Sequence, residues 1–146
     1  MSTSTIPAVL DALVAALALR SGLVGVGIWS APAGDSKYLE NIEFGAEIDI
    51  DQSSVTMGGG RQETYRIDGG IGITKAGAGE DTIKAARDRC FALLAELEAY
   101  LNDNPTIGGT CMDADLDTGQ MKQGYQTNGR TCSVEFAITV RAFINP

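Results

Sequence analysis

A chain of 146 residues with 44% apolar and 21% charged side chains has the size and balance of one folded domain, which excludes wholesale disorder. Its formal net charge of −8 excludes the basic footprint of a protein that grips nucleic acid, since phosphate neutralisation needs clustered Lys and Arg. The absence of histidine excludes Ser-His-Asp and Cys-His nucleophile pairs and removes the commonest nitrogen ligand of metals.

The first expected element is a helix. Ile6, Leu10, Leu13, Val14 and Leu17 recur at helical spacing, Thr5 is placed to cap it, and Pro7 suits its first turn. Gly22 is placed to end it after Arg20. The apolar run Ile6–Leu19 lacks the charged n-region of a secretory signal, because no Lys or Arg precedes Arg20 and Asp11 interrupts it. It is also shorter than the ~20 residues a membrane span needs. Cys90, Cys111 and Cys132 form no C-x-x-C, and their odd number suits a reducing, cytosolic setting with all three buried as small apolar groups.

A short strand is expected about Leu23–Trp29, then a loop Ser30–Asn41 containing Pro32 and Gly34. Next, Ile42, Phe44, Ala46, Ile48 and Ile50 alternate strictly with Glu43, Gly45, Glu47, Asp49 and Asp51. Period-two alternation predicts a strand with one buried and one solvated face. The following loop Gln52–Gly60, with three glycines at its end, is expected to be mobile. The strand Arg61–Lys75 puts Tyr65, Ile67, Ile71 and Ile73 inward, with Gly69-Gly70 suggesting a bulge.

A glycine-rich turn, Ala76–Gly79, leads to a second helix about Asp81–Asn102, ended by Asn104-Pro105. Its expected buried stripe is Ile83, Cys90, Phe91, Leu94, Leu97 and Leu101. Two further alternating strands follow. Met112, Ala114 and Leu116 oppose Asp113, Asp115 and Asp117; Cys132, Val134, Phe136, Ile138, Val140 and Ala142 oppose Ser133, Glu135, Thr139 and Arg141. The polar stretch Gly119–Arg130 between them is expected as a long hairpin loop. The order α-β-β-β-α-β-β predicts one α+β domain over residues 1–146: a mainly antiparallel sheet of about five strands with both helices on its apolar face.

Motifs for chemistry fail in detail. Gly69–Gly79 lies between a strand and a helix, but Lys75 follows Thr74 and precedes Ala76, which breaks the P-loop pattern. The dinucleotide pattern fails because Lys75 stands where its third glycine belongs. Asp113, Asp115 and Asp117 resemble the start of a calcium loop, yet Thr118 and Gly124 replace its essential glycine and glutamate. Catalytic carboxylates would need an apolar pocket to raise one pKa, whereas the strand acids occupy the polar register. No enzyme, metal or cofactor is expected.

The run Asp81–Leu94 (DTIKAARDRCFALL), then Asn104-Pro105-Thr106-Ile107-Gly108-Gly109, Gln123–Gly129 (QGYQTNG) and the closing strand Val134–Phe143 resemble the tail terminator, or tail completion, family of long-tailed double-stranded DNA phages. The resemblance also takes in the N-terminal helix and the Ile42–Gly45 strand start. It implies a sheet flanked by helices, assembled as a homohexameric ring in the virion at the head–tail junction after synthesis in the host cytoplasm. Such a ring caps the tail tube protein, stops its polymerisation and docks the head–tail connector or stopper protein. Genomic DNA passes through it without specific binding; no membrane, cofactor or catalytic residue is implied. Within the same assembly, a head-closure or connector subunit of the neck is the alternative. A small acidic module binding calcium or carbohydrate is the alternative from another class.

Nine acids occupy the polar strand register: Glu43, Glu47, Asp49, Asp51, Asp68, Asp113, Asp115, Asp117 and Glu135, opposed there by Arg66 and Arg141. They are candidates for a channel lining, or else for a solvated face or one paired with a neighbour's cations. Ser53, Ser54, Val55, Thr56 and Met57 in one loop, and Gln123, Tyr125 and Gln126 in the other, are candidate contacts to a neighbouring ring or to the tube.

Overall fold

The computed structural model describes residues 3–34, 37–55 and 57–145. Its elements run α1 (Ile6–Ala18), a single 3-10 turn (Ser21–Leu23), β1 (Gly27–Trp29), β2 (Glu40–Ser54), β3 (Arg61–Ala76), α2 (Glu80–Asp103), β4 (Asp113–Gln126) and β5 (Gly129–Ile144). The five strands form one sheet in the order β1-β2-β3-β5-β4. The expected α+β fold is the observed one. The sheet is mixed, because β1 pairs parallel to β2 while every other pair is antiparallel.

One face of the sheet is sealed. Ile42 and Phe44 of β2, Tyr65, Ile67, Ile71 and Ile73 of β3, and alternate residues of β5 from Cys132 to Ile144 are all buried. Val9, Leu13 and Leu17 of α1 join the same core as Cys90, Leu93, Leu94 and Leu97 of α2. Both helices therefore cover the apolar face, as period-two strands and 3.6-residue helices require of each other. Gly69 lies between Phe44 and Phe136 across three strands, and their rings meet edge to face at 5.6 Å over it.

Several expected boundaries are displaced. Helix α1 stops at Ala18, and Leu23 belongs to the 3-10 turn, so the first strand shrinks to three residues. Gly25, at φ 81°, makes the turn into it. The buried stripe of α1 runs through Val9 rather than Val14. Thr5 stands at the N-cap position without capping; its hydroxyl is drawn to Glu63 of β3, a charged and wholly buried partner that outcompetes a backbone amide. In α2, Ala86, Leu93 and Tyr100 are buried, whereas Phe91 is 45% exposed. Position 91 falls just outside the arc shared by Cys90, Leu94, Leu97 and Leu101, and Ile83 is only half-buried.

The bulge expected at Gly69-Gly70 lies in the partner strand. The β2–β3 register shifts between Phe44 and Ile48, with Gly45 at φ 74°, while β3 pairs with β5 unbroken from Arg61 to Ala76. From this bulge onward the alternation of β2 survives but its burial does not: Ala46 is exposed and Ile50 is 55% exposed. Both expected loops are shortened. Gln52, Ser53 and Ser54 belong to β2, leaving a loop over 55–60 closed by the Val55 amide on the Gly60 carbonyl, 3.1 Å. Thr56 lies outside the described residues. Gly119–Arg130 is mostly paired strand, with Met121–Gln126 facing Val134–Gly129 across a two-residue turn, Thr127-Asn128, in which Asn128 takes φ 60°. Of the cysteines, Cys90 and Cys132 are buried and Cys111 is half-buried.

Candidate functional site

The face of the sheet away from the helices is the candidate site, and the register shows how it is built. Rows of direct partners cross it. One runs Asp49, Arg66, Thr139, Asp115; the next runs Asp51, Thr64, Arg141, Asp113. Glu43 stands beside Gly70 and Glu135, and Asp68 beside Ala137 and Asp117. Period-two geometry thus places eight of the nine acids on one face, and Glu47, inside the β2 bulge, joins them around a shared groove. Seven of the acids form two columns, along β2 and along β4, while Asp68 and Glu135 share the central strands β3 and β5 with Arg66 and Arg141.

Cations neutralise only part of this surface. The Arg141 Nε donates to Asp113 at 2.9 Å, and that guanidinium holds the Asp113 carboxyl below its ordinary range. Arg66 lies 3.4 Å from Asp68 and 3.9 Å from Asp117. Lys122, a contributor that the alternation alone did not reveal, lies 4.0 Å from Glu135. The Pro-Gly loop reaches Glu43, which accepts the Ala33 amide at 3.4 Å. Glu47, Asp49, Asp51 and Asp115 have no ion pair within 4.0 Å among the described residues. Nine carboxylates thus face three cations, and the β2 column is the less neutralised.

A shallow groove of roughly 400 Å³ crosses this face where Gly70 and Gly119 present no side chain, and Glu43, Glu47, Asp68 and Glu135 rim it. The carboxylates diverge along the strands rather than converging on a point. Among the described residues, no group of three or more His, Cys, Asp or Glu is arranged to hold a metal ion.

The second set of candidates separates into two places. Ser53, Ser54, Val55 and Met57 cluster at the β2–β3 turn, with Met57 fully exposed. Gln123, Tyr125 and Gln126 lie at the opposite end of the sheet on β4, where Tyr125 is 83% exposed. Glu63 was missed in sequence reading although period two placed it on the apolar side with Tyr65 and Ile67. It is the one charged residue buried among the described residues, and Ser4, Thr5 and Gln52 all donate to it. The β4–β5 hairpin was signalled by Asn128-Gly129, a dipeptide suited to tight strand turns.

No family model matches this chain, and no curated protein matches it. Among solved structures, it is similar to a chain described as the virion of a native gene transfer agent particle. The two share 15% sequence identity over 97% of this chain and 100% of the other, with a TM-score of 0.45.

Proposed function

We propose that this protein is a structural subunit of a phage neck: a tail terminator that caps the tail tube as a hexameric ring and offers a docking surface to the head connector. The observation that carries this reading is the bare outer sheet face, where nine carboxylates meet three cations while the opposite face is sealed by two helices. A ring with these faces inward gives passing DNA a channel wall without the cation–phosphate contacts that cause adhesion. The resemblance of the α2, Asn104–Gly109 and closing-strand sequences to tail terminators supports the same role. The chemistry is that of a repelling surface; the chain acts by assembly rather than catalysis.

Electron microscopy of particles made without the protein tests the role. Overlong or headless tails are expected, whereas leaking heads on tails of normal length would assign it to head closure instead. The channel is tested separately with a Glu47→Lys, Asp49→Lys, Asp51→Lys triple variant. The native ring is expected to ignore duplex DNA, and the variant ring to retain it with a steep salt dependence. If the variant ring also ignores DNA at low salt, these acids face outward.

A further inference from the structure

The sheet has two open edges, and two bulges delimit them. Beyond Phe44 the outer side of β2 has no strand neighbour among the described residues, and β4 has only β5. The β2 bulge leaves a regular run from Ile48 to Ser54, and the β4 bulge between Thr118 and Met121 leaves another from Met121 to Gln126. Unpaired edges are templates for a further strand. The remaining edge residues are not equivalent. Joining two copies at the same level would set Asp49 and Asp51 against Asp115 and Asp113, since these share rows within each sheet. Like charges directly opposite oppose such pairing.

A staggered joining reverses that penalty. We propose that the Met121–Gln123 edge of one copy receives the Ile48–Ile50 edge of a second copy as an added antiparallel strand. The proposal rests on the ring-forming reading above and names the surfaces that would close the ring. Strand direction permits it, because β2 runs parallel to β5 and β4 runs opposite to both, so directions keep alternating across the join. Faces also match. Even residues of β2 and odd residues of β4 from Met121 onward lie on the helix side, through their pairing with Tyr65 and Ile67 and with Val134 and Cys132. With Ile50 opposite Met121, Ile48 falls opposite Gln123 and Asp49 opposite Lys122.

This register pairs what each copy leaves exposed. Ile50 is 55% exposed and Met121 is 39% exposed, both unusual for apolar residues of a sheet's helix-covered side. Phe91 of α2 is exposed too, and it follows Cys90, whose thiol contacts the carbonyl of Cys132, the partner of Gln123. On the other face Lys122, with its side chain 64% exposed and Glu135 at 4.0 Å its one ion-pair partner among the described residues, gains Asp49. Because the two surfaces differ, the contact is head-to-tail and can close into a ring.

The test uses the whole chain with one edge blocked at a time. Ile50→Asp and Met121→Asp alter exposed positions, so each protein is expected to keep the wild-type thermal transition and to run as a monomer in light scattering. Mixed equally, each still offers one intact edge, so 1:1 dimers and nothing larger are expected. In a Cys111→Ser background, the Ile50→Cys, Met121→Cys double variant should oxidise to covalent multimers, in solution or in assembled tails, while either cysteine alone should not. This second arm decides the matter if an aspartate variant fails to fold. Assembly undisturbed by both aspartates, or cross-linking by one cysteine alone, overturns the interface and leaves the ring standing. A native protein that is monomeric alone and absent from tails overturns both.

Discussion

Replacing Glu63 by Gln keeps shape and volume and removes one charge from the only charged residue buried among the described residues. Its Oε1 accepts Ser4 Oγ at 2.5 Å and Gln52 Nε2 at 2.9 Å; its Oε2 accepts the Thr5 amide and hydroxyl, both at 2.9 Å. An amide keeps only one acceptor oxygen, so two donors would face an NH₂ group. Bonds to a charged acceptor are worth about 1.5–3 kcal/mol each, and the Thr5 and Ser4 hydroxyls can rotate to recover part, so the expected cost is about 3 kcal/mol. With an unfolding entropy of roughly 2 cal/mol/K per residue, that lowers the melting temperature by about 10 °C.

The pH dependence gives an independent reading. Burial pushes the Glu63 carboxyl up, but the donors from Ser4, Thr5 and Gln52 outweigh it and hold the pKa below its ordinary value of 4.5. A depressed carboxyl stabilises the fold above its unfolded-state pKa, and this contribution fades as pH falls from about 4.5 through the folded value. Circular dichroism melts from pH 7 down to pH 3 should show the gap between wild type and Glu63→Gln narrowing in acid. A gap at pH 7 under about 2 °C, or one that does not shrink in acid, would refute the clamp as an energetic anchor of the α1 start.

Further outcomes are expected at four positions. Gly69→Ala places a Cβ 2.5 Å from the Phe136 ring and 2.6 Å from the Glu43 carbonyl, so urea unfolding should show a loss of about 1–3 kcal/mol. Gly72→Ala, which meets open space, should change stability by less than ~0.5 kcal/mol. Arg89 grips Glu40 through two nitrogens at 2.8 and 3.2 Å and reaches the Gly22 carbonyl, tying α2 to β2 and the 3-10 turn. Arg89→Met should cost about 1–2 kcal/mol in the same assay, and Arg89→Lys should recover little because it lacks the fork. Burial and the neighbouring Cys132 push the Cys90 thiol up to about 12, so a thiol reagent at pH 8 should label the half-buried Cys111 first and Cys90 only at the rate of unfolding.

The alternating strands were legible because period two survives folding wherever one face is covered; Ile42, Phe44, Tyr65, Ile67 and the even residues of β5 all lie where alternation put them. Loops were overestimated where polar residues continue a strand whose faces are both wet. From Thr118 to Asn128 every residue is exposed, so hydrophobic pattern was silent and only backbone pairing with β5 makes a strand. The β2 bulge escaped detection for a related reason: its two extra residues preserve parity, so the alternation reads continuously through it. Phe91 and Ile50 had the composition of core residues and the wrong tertiary neighbours.

Sequence alone determined which residues share a face, because the side-chain period of a strand is a local property of the backbone. It therefore placed the acids on one polar register and the two helices on the other side. Strand order, the parallel β1, and the levels at which acids meet cations are non-local, and only the packed sheet decided them. Adjacency across strands turned a list of nine acids into two columns holding seven of them, with Asp68, Glu135, Arg66 and Arg141 between them. It also left Asp49 and Ile50 on one edge and Met121 and Lys122 on the other. Those features arise from which strand lies beside which, a choice made by burying one common core.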